Sequence, residues 1–318
     1  MFPRNLTFFR FPATINFGHD SDFGLGLREC ALKPVGPLEL ASVGFVSPFG
    51  RPEPGEAPDL AHVVGNTLRL TIGTEEKILP AAAINDLLGK KVAEVEAAEG
   101  RKLGGKARKR LKDDILHELL PKALVKSRRT DAYLFEDLGL LAVDTSSRKQ
   151  AEAVASEIRR ALGSFPALPV NAEVAPRSVL TGWVAGEPLP EGGYDGDQPT
   201  GGALALGEDC TLADAADGGA LVRCQHQELR SDEIAKHLEA GKQVTRLGLS
   251  LDDHLSFVLG EDLVVRRLKF LDGAVDQLAD TERDDLRAEL DARLVLVDFE
   301  VRGLFGVLAR AFRISAVE

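Results

Sequence analysis

The chain has 318 residues, of which 44% are hydrophobic and 28% are charged, a balance typical of globular proteins. This composition excludes wholesale disorder, and at roughly 150 residues per domain the length predicts about two domains. The formal net charge of −11 excludes a protein that is basic over its whole surface, but it leaves room for a local basic site.

The features of membrane and secreted proteins are missing from the sequence. No apolar run approaches the roughly 18 residues that span a bilayer. Prolines and arginines break the N-terminal stretch, so it lacks the apolar segment of a signal peptide. The three cysteines, Cys30, Cys210 and Cys224, form no CxxC pair. We therefore expect a cytoplasmic protein.

The first 172 residues predict strands, hairpins and helices. Gly65-Asn66 lies between strand-like segments at 61–64 and 67–72, as a hairpin turn does. Gly139 lies in the same way between strand-like segments at 132–135 and 140–143. Ser146 or Ser147 can cap a helix that ends at Leu162, before Gly163. The other predicted elements are a strand at 6–11, a helix at 20–32, a loop at 47–58 and a strand at 165–170. A hairpin and a helix occur twice in different order, which leaves a duplicated module open.

A helical insert is predicted from about Ala81 to Lys126. Its first helix has apolar residues at helical spacing, at Ile84, Leu87, Leu88, Val92 and Val95. Glycines at 100 and 104–105 interrupt it. A second helix carries Leu111, Ile115, Leu116 and Leu119 and ends at Pro121.

The remaining residues predict a further mixture of strands and helices from about Pro176. In order, these are an exposed loop at 186–202, a short helix between Ser231 and Gly241, strands at 243–249, 255–259 and 263–270, a helix at 281–291, a strand at 294–299 and a helix at 304–312. The single Trp183 is interpreted as a core residue. Strands and helices without regular βαβ alternation favour an α+β fold with mixed antiparallel sheets.

Positive charge is concentrated between Arg101 and Arg129. This stretch has eleven basic and three acidic residues, a net +8, so the remainder of the chain carries −19. Arg101–Lys112 contains no acidic residue at all. A solvated helix face usually mixes both signs, so phosphate binding is favoured over a merely solubilising face. No base-reading motif is present, and we expect electrostatic, sequence-independent binding.

Two other functions are weaker alternatives. Gly100–Lys106 fits the GxxxxGK part of a phosphate loop, which would make the chain a nucleotide hydrolase. Ala107 stands where that loop needs Ser or Thr, however, and a helix rather than a strand precedes it. The third possibility is a protein-docking module whose basic helix binds an acidic partner.

Other chemistry-bearing residues predict no catalytic centre, cofactor or metal site. The six histidines are scattered, without an HxxxH or HExxH pair, and no GxSxG elbow occurs. Cys224 and His226 alternate in a predicted strand and would share a face, which we attribute to chance.

Several short motifs together resemble the RdgC family of bacterial recombination-associated proteins. They occur in the same order over nearly the whole chain. The motifs are Glu75-Glu-Lys-Ile-Leu-Pro80, Arg101-Lys-Leu103, His117-Glu-Leu-Leu-Pro-Lys-Ala123, Leu162-Gly-Ser-Phe-Pro166, Leu180-Thr-Gly-Trp-Val184, His237-Leu-Glu-Ala-Gly-Lys-Gln-Val-Thr245 and Arg267-Leu-Lys-Phe270.

The resemblance implies a non-enzymatic, ring-shaped homodimer. Its basic central hole would encircle double-stranded DNA without sequence specificity and restrain RecA-promoted recombination in the nucleoid. It also implies a central part at 1–76 and 130–172, a basic helical tip insert at 77–129 and a base part at 173–318.

Site residues follow from the charge pattern and the resemblance together. Arg101 and Lys102 match the family's helical region. Leu124 matches a position where the family has an aromatic dimer contact, and it keeps the apolar character but not the ring. The family has adjacent lysines where this chain has Gln225-His226, so those two lysine contacts do not carry over to this chain. The predicted DNA contacts are Arg101, Lys102, Lys106, Arg108, Lys109, Arg110, Lys112, Lys122 and Lys126.

Overall fold

The computed structural model describes residues 2–15, 17, 22–50, 55, 57–190, 194–195, 198–199, 202–214, 220–275 and 286–315. The predicted α+β class is confirmed. The strands are β1 Thr7–Arg10, β2 Ala41–Val46, β3 Ala61–Val64, β4 Thr67–Ile78, β5 Leu124–Phe135, β6 Leu140–Val143, β7 Leu168–Pro169, β8 Tyr194–Asp195, β9 Gln198–Pro199, β10 Leu204–Asp214, β11 Leu221–Cys224, β12 Lys242–Leu251, β13 Leu255–Gly260 and β14 Val265–Phe270. The helices are α1 Asp22–Glu29, α2 Ala81–Glu99, α3 Gly105–Leu119, α4 Arg148–Leu162, α5 Pro176–Ala185, α6 Asp232–Glu239, α7 Asp272–Val275 and α8 Leu286–Phe312.

Seven antiparallel strands form sheet I, in the order β2-β4-β5-β6-β1-β7 with β3 also on β4. β4 and β5 pair along their whole length, from Thr67 opposite Phe135 to Ile78 opposite Leu124. Both predicted hairpins of this region are confirmed, at Gly65-Asn66 between β3 and β4 and at Gly139 between β5 and β6. The two hairpins are therefore neighbours in one sheet.

Helices α1 and α4 cover one face of sheet I and share an apolar core with it. The predicted cap of α4 is confirmed, because Ser147 accepts a hydrogen bond from the backbone N–H of Gln150, and Gly163 follows the last residue. The two helices pack closely. A Cβ on Gly26 of α1 would lie 1.9 Å from the carbonyl oxygen of Ala161, so this contact requires glycine.

Five antiparallel strands form sheet II, in the order β11-β10-β12-β13-β14. Its inner face shares a second apolar core with α5, α8 and the other face of sheet I. Phe8 of β1 and Phe305 of α8 have ring centroids 5.3 Å apart. Trp183 of α5 is buried against Phe312, 5.7 Å away, which confirms its interpretation as a core residue.

The predicted strand at 294–299 is wrong, because these residues lie in the middle of α8. A helix packed between two sheets carries apolar residues around much of its circumference, and a short run of such residues cannot be distinguished from a buried strand. The predicted helix at 304–312 is the end of α8. Residues 286–291 of the helix predicted at 281–291 also belong to α8, and 281–285 lie outside the described residues. The buried apolar residues of α8 are Leu294, Leu296, Val297, Val301, Leu304, Phe305, Val307, Leu308 and Phe312.

Other boundaries differ from the prediction in ways that local pairing explains. Leu124–Lys126, predicted as the end of the helical insert, belong to β5 because they pair with β4. The strand predicted at 165–170 is reduced to Leu168–Pro169, which pairs only with the end of β1. The predicted strand containing Cys224 and His226 ends at Cys224. His226 follows it with a φ of 54°, so the two do not alternate on one strand.

The remaining predicted elements are confirmed in outline. The short helix after Ser231 is α6, and the next three strands are β12, β13 and β14. The helix predicted at 20–32 is α1, and residues 20 and 21 lie outside the described residues. The loop at 186–202 contains the two-residue strands β8 and β9, whereas 191–193, 196–197 and 200–201 lie outside the described residues, as do 51–54 and 56 of the predicted loop at 47–58. Strands β2 and β10 were missed.

Candidate nucleic-acid interface

The helices α2 and α3 form an antiparallel helical hairpin between β4 and β5. The last pair of the β4–β5 ladder is Ile78 opposite Leu124. Pro80 immediately precedes α2 in an extended conformation, where its fixed φ and missing N–H disrupt no helical hydrogen bond. Pro121 lies in the 3-10 turn that follows α3. The sheet thus fixes both ends of the helical hairpin.

Apolar contacts hold the two helices together. Ile84 and Val92 of α2 and Ile115 of α3 are buried, as their helical spacing predicts. The Lys91 ammonium also binds the Glu118 carboxylate, with Nζ and Oε2 2.9 Å apart. This ion pair raises the pKa of Lys91 and lowers that of Glu118. The polar faces of both helices remain exposed.

Glu96 organises the loop that joins α2 to α3. Its Oε1 accepts hydrogen bonds from the backbone N–H of Leu103 at 2.8 Å and from the Arg108 guanidinium at 3.2 Å. The backbone hydrogen bond first, and Arg108 second, lower the pKa of the Glu96 carboxyl. Gly100 ends α2 in the left-handed conformation with a φ of 63°. The GxxxxGK segment therefore follows a helix rather than the strand that a phosphate loop requires.

All nine predicted DNA contacts are exposed. Two of them are ion-paired, Arg101 with Glu99 at 3.0 Å and Arg108 with Glu96 at 3.2 Å. Within the part of the chain that the structure describes, the other seven have no ion-pair or hydrogen-bond partner for their side chains. These seven are Lys102, Lys106, Lys109, Arg110, Lys112, Lys122 and Lys126.

The structure separates the nine residues into two groups. Seven lie between Arg101 and Lys112, at the loop and on the first half of α3, and we call them the loop-end basic group. Lys122 and Lys126 lie beyond the other end of α3, in the 3-10 turn and on β5. At 1.5 Å per residue, the 15 residues of α3 span about 22 Å. The two groups therefore form separate basic regions near opposite ends of α3.

On α3, Lys106, Lys109 and Arg110 lie on one arc, away from Leu111 and Ile115, at roughly 100° per residue. This confirms that the apolar face packs while a basic face stays free. Exposed lysines and arginines on one helix face suit contact with phosphates rather than recognition of base edges.

An exposed apolar patch marks the end of the β4–β5 ladder. Leu124 is 77% exposed, and Ile78 and Val125 are 47% and 45% exposed. Leu124 and Ile78 are cross-strand partners on one face of the ladder, and Val125 points to the other face. We call these three residues the end patch. Large apolar side chains this exposed in one place are typical of a surface that another molecule covers.

Metal ligation and membrane crossing find no support in the described residues. No group of three or more His, Cys, Asp or Glu side chains is placed to hold a metal ion there. Among the described helices, none combines the length and apolarity that crossing a bilayer requires.

A second basic surface was missed by the sequence prediction. Arg223, Arg246 and Arg266 line a groove on the outer face of sheet II. They come from three different strands, and β14 adds Arg267 beside Arg266. The alternation of inward and outward side chains in each strand was the one available signal. It predicts which residues point outward, but it does not predict which strands are neighbours.

Comparison with known proteins decides the family. A family model described as "Putative exonuclease, RdgC" matches residues 1–315. The chain belongs to the RdgC family. Proteins named "Recombination-associated protein RdgC" from Xanthomonas oryzae pv. oryzae (strain MAFF 311018) and Xanthomonas campestris pv. campestris (strain B100) are each 61% identical over 318 residues, covering all of both chains. One from Stenotrophomonas maltophilia (strain R551-3) is 57% identical over the same length.

Membership in the RdgC family associates the chain with recombination. The two kinds of description differ, since the family model carries an exonuclease label and the names of these relatives state no enzymatic activity. The predicted resemblance is confirmed, and the predicted DNA contacts and dimer contact stay predictions.

Proposed function

We propose that this protein binds double-stranded DNA without sequence specificity, as a ring-shaped homodimer in the nucleoid, and restrains RecA-promoted recombination without catalysis. The observation that carries the proposal is the loop-end basic group. It places exposed cations, five of them unpaired, on a chain whose net charge is −11. Such a surface attracts a polyanion to one place while the rest of the chain repels it.

Phosphate contacts account for the expected lack of sequence specificity. Lysines and arginines neutralise backbone phosphates and release counterions, which gives strong salt dependence and little dependence on sequence. The cations of the helical hairpin lie on exposed helix and loop surfaces. The hairpin carries no zinc finger or recognisable helix-turn-helix that would read bases.

The ring is supported by the end patch and by family membership. Leu124 would contact a second copy, and its cross-strand partner Ile78 extends the apolar surface that such a contact would bury. The tip insert at 77–129 would then take part in closing the ring, with the central part at 1–76 and 130–172 and the base part at 173–318. A closed ring would retain DNA topologically even where each phosphate contact is weak.

The test is fluorescence anisotropy with two unrelated duplexes of equal length over a salt series. We expect equal affinities for both duplexes, falling steeply as salt rises. The variant Lys106→Gln/Lys109→Gln/Arg110→Gln should weaken binding to both equally and lower the salt slope by about 1 for each lost contact. If the protein binds no DNA at low salt, the protein-docking module is favoured instead. If it releases phosphate from ATP and this release depends on Lys106, the nucleotide hydrolase is favoured.

The matched control removes the same charge elsewhere. Arg28, Lys33 and Lys149 are exposed and, within the described ranges, their side chains have no ion-pair partner. The variant Arg28→Gln/Lys33→Gln/Lys149→Gln should bind DNA nearly as the parent does. RecA-promoted strand exchange measured with the same three proteins tests the second half of the proposal. The parent and the control should slow the exchange, and the helical-hairpin variant should not.

A further inference from the structure

A groove crosses the outer face of sheet II, the face opposite the shared apolar core. It consists of two adjoining cavities with volumes of about 190 and 310 Å³. Both are lined by Thr211 of β10, Arg223 of β11, Arg246 of β12 and Arg266 of β14. The groove therefore continues from one cavity into the other past these four residues.

Strand pairing sets the geometry at the middle of the groove. Thr211 lies directly opposite Arg223 on one side and directly opposite Arg246 on the other. Opposite residues of antiparallel strands point to the same face. At about 4.8 Å between neighbouring strands, the Cα atoms of the two arginines are about 10 Å apart, with the threonine between them.

These three side chains are free to bind a ligand. Arg223 and Arg246 are exposed. In the residues that the structure describes, neither guanidinium has an ion-pair or hydrogen-bond partner, and the Thr211 hydroxyl has none either. The hydroxyl of Thr245 donates a hydrogen bond of 3.1 Å to the Thr211 backbone carbonyl, so it does not occupy the Thr211 hydroxyl.

The other arginines of the groove are already paired. Arg266 binds Asp262 through two hydrogen bonds of 2.8 and 2.5 Å. Arg267 faces Asp209 at 3.5 Å, and Arg177 binds Glu261. Five arginines against three carboxylates leave the groove with a net +2, which lies at Arg223 and Arg246.

We propose that Arg223, Arg246 and the Thr211 hydroxyl form a phosphate-binding site. Two guanidinium groups can each donate two parallel hydrogen bonds to a phosphate. A hydroxyl between them can donate one more hydrogen bond to the same phosphate. The two cavities extend from the site in different directions, so the phosphate can belong to a nucleic-acid backbone that runs along the groove. In that form the inference rests on the proposed DNA binding. A free phosphate is the other source of the same chemistry.

The first experiment detects phosphate without DNA. Thermal unfolding is measured in inorganic phosphate and in sodium chloride of equal ionic strength. We expect phosphate to raise the midpoint by about 2 °C, because a ligand that binds only the folded state stabilises it. The rise should disappear in Arg223→Gln/Arg246→Gln. It should persist in Arg28→Gln/Lys149→Gln, which also removes two exposed, unpaired cations.

The second experiment measures duplex affinity by anisotropy for the same proteins. If the site holds a DNA phosphate, the Arg223→Gln/Arg246→Gln variant binds both duplexes several-fold more weakly, with a salt slope lower by up to about 2. Thr211→Val keeps the charge and the shape but removes the hydroxyl, so it should weaken the phosphate response without changing the net charge.

The outcomes separate the two sources and the two proposals. Loss of DNA affinity assigns the site to a nucleic-acid backbone, and loss of the phosphate response alone assigns it to a free phosphate. If the double variant matches the control in both experiments, the site is overturned. If the parent binds no DNA, the proposed function fails, and the phosphate experiment alone still decides this site.

Discussion

Leu124 lies directly opposite Ile78 in the last pair of the β4–β5 ladder, and both side chains are exposed. Nothing on the described part of the chain covers them. A second copy that covers the end patch would therefore gain apolar burial from both residues at once.

We therefore expect Leu124→Asp to weaken self-association at least tenfold. Burying a carboxylate against an apolar surface costs more than a leucine contact gains. Sedimentation equilibrium measures the dissociation constant of the dimer. Leu25→Asp is the matched control, because Leu25 is 60% exposed on α1, away from the end patch. An unchanged dissociation constant for Leu124→Asp would remove the end patch from the dimer contact.

The same variant tests topological retention. After a salt challenge, the parent should stay longer on a closed circular duplex than on a linear duplex of the same sequence. Leu124→Asp should leave both at the same rate, because a ring that does not close cannot retain a circle. Equal loss of the parent from circle and linear duplex would contradict a closed ring.

His62 connects the β3–β4 hairpin to α8, with Nε2 2.6 Å from Asp291 Oδ1. The ring is buried, and its Nδ1 has no hydrogen-bond partner in the described residues. Burial lowers the pKa of His62 below its usual value of 6.5, and the contact with Asp291 opposes this shift only in part. Protonation would leave a buried donor without an acceptor.

Stability should therefore decrease on acidification through this histidine. Between the lowered folded pKa and the unfolded value near 6.5, the unfolded chain binds more protons, so the free energy of unfolding decreases as the pH falls below about 6.5. Urea unfolding from pH 7 to 5 should show a shallower decrease for His62→Gln than for the parent, by at most about 1.4 kcal/mol per pH unit. The control is the exposed His117→Gln, which should follow the parent. A parallel decrease in His62→Gln would contradict this assignment.

The three cysteines should differ in reactivity. Cys210 and Cys224 lie opposite each other on β10 and β11 and are buried. Burial first, and the neighbouring Cys224 second, raise the pKa of the Cys210 thiol to about 12, so almost no thiolate exists at pH 8. Cys30 is partly exposed. Iodoacetamide at pH 8 should label Cys30 before the other two cysteines, and in urea it should label all three at equal rates. Peptide mass spectrometry measures the labelling of each cysteine. Equal labelling of the native protein would argue against the burial of this pair.

Two residues of α8 offer a matched test of its position between the sheets. Leu304 is fully buried and Val295 is 52% exposed on the same helix. Leu304→Ala should lower the free energy of unfolding by about 2–5 kcal/mol, because it leaves a cavity in the shared core. Val295→Ala should change it by less than about 1 kcal/mol. Similar losses for both variants in urea unfolding would contradict the helix orientation.

Local signals predicted those parts of the fold that local chemistry governs. Gly65-Asn66 and Gly139 marked hairpin turns, Ser147 and Gly163 marked the ends of α4, and the apolar spacing from Ile84 onward marked α2. Each depends on conformational preferences within a few residues. The exposure of the loop-end basic group followed in the same way, because long charged side chains are rarely buried without a partner.

The errors lie where distant segments decide. Leu294–Phe299 is helical because it is part of α8, which packs between two sheets. A run of six residues carries no information about sheets formed by distant segments. Leu124 extends a strand because Ile78 holds it in register. The groove of Arg223 and Arg246 exists because β10 separates β11 from β12, which no spacing along the chain reveals.

By itself, the sequence determined the α+β class, the turns and caps, the concentration of charge and the resemblance to the RdgC family. Only the tertiary structure decided which strands are neighbours, which cations are already paired and which apolar residues remain uncovered. The physical reason is that conformational preference acts over a few residues, whereas pairing and burial depend on which distant segments meet.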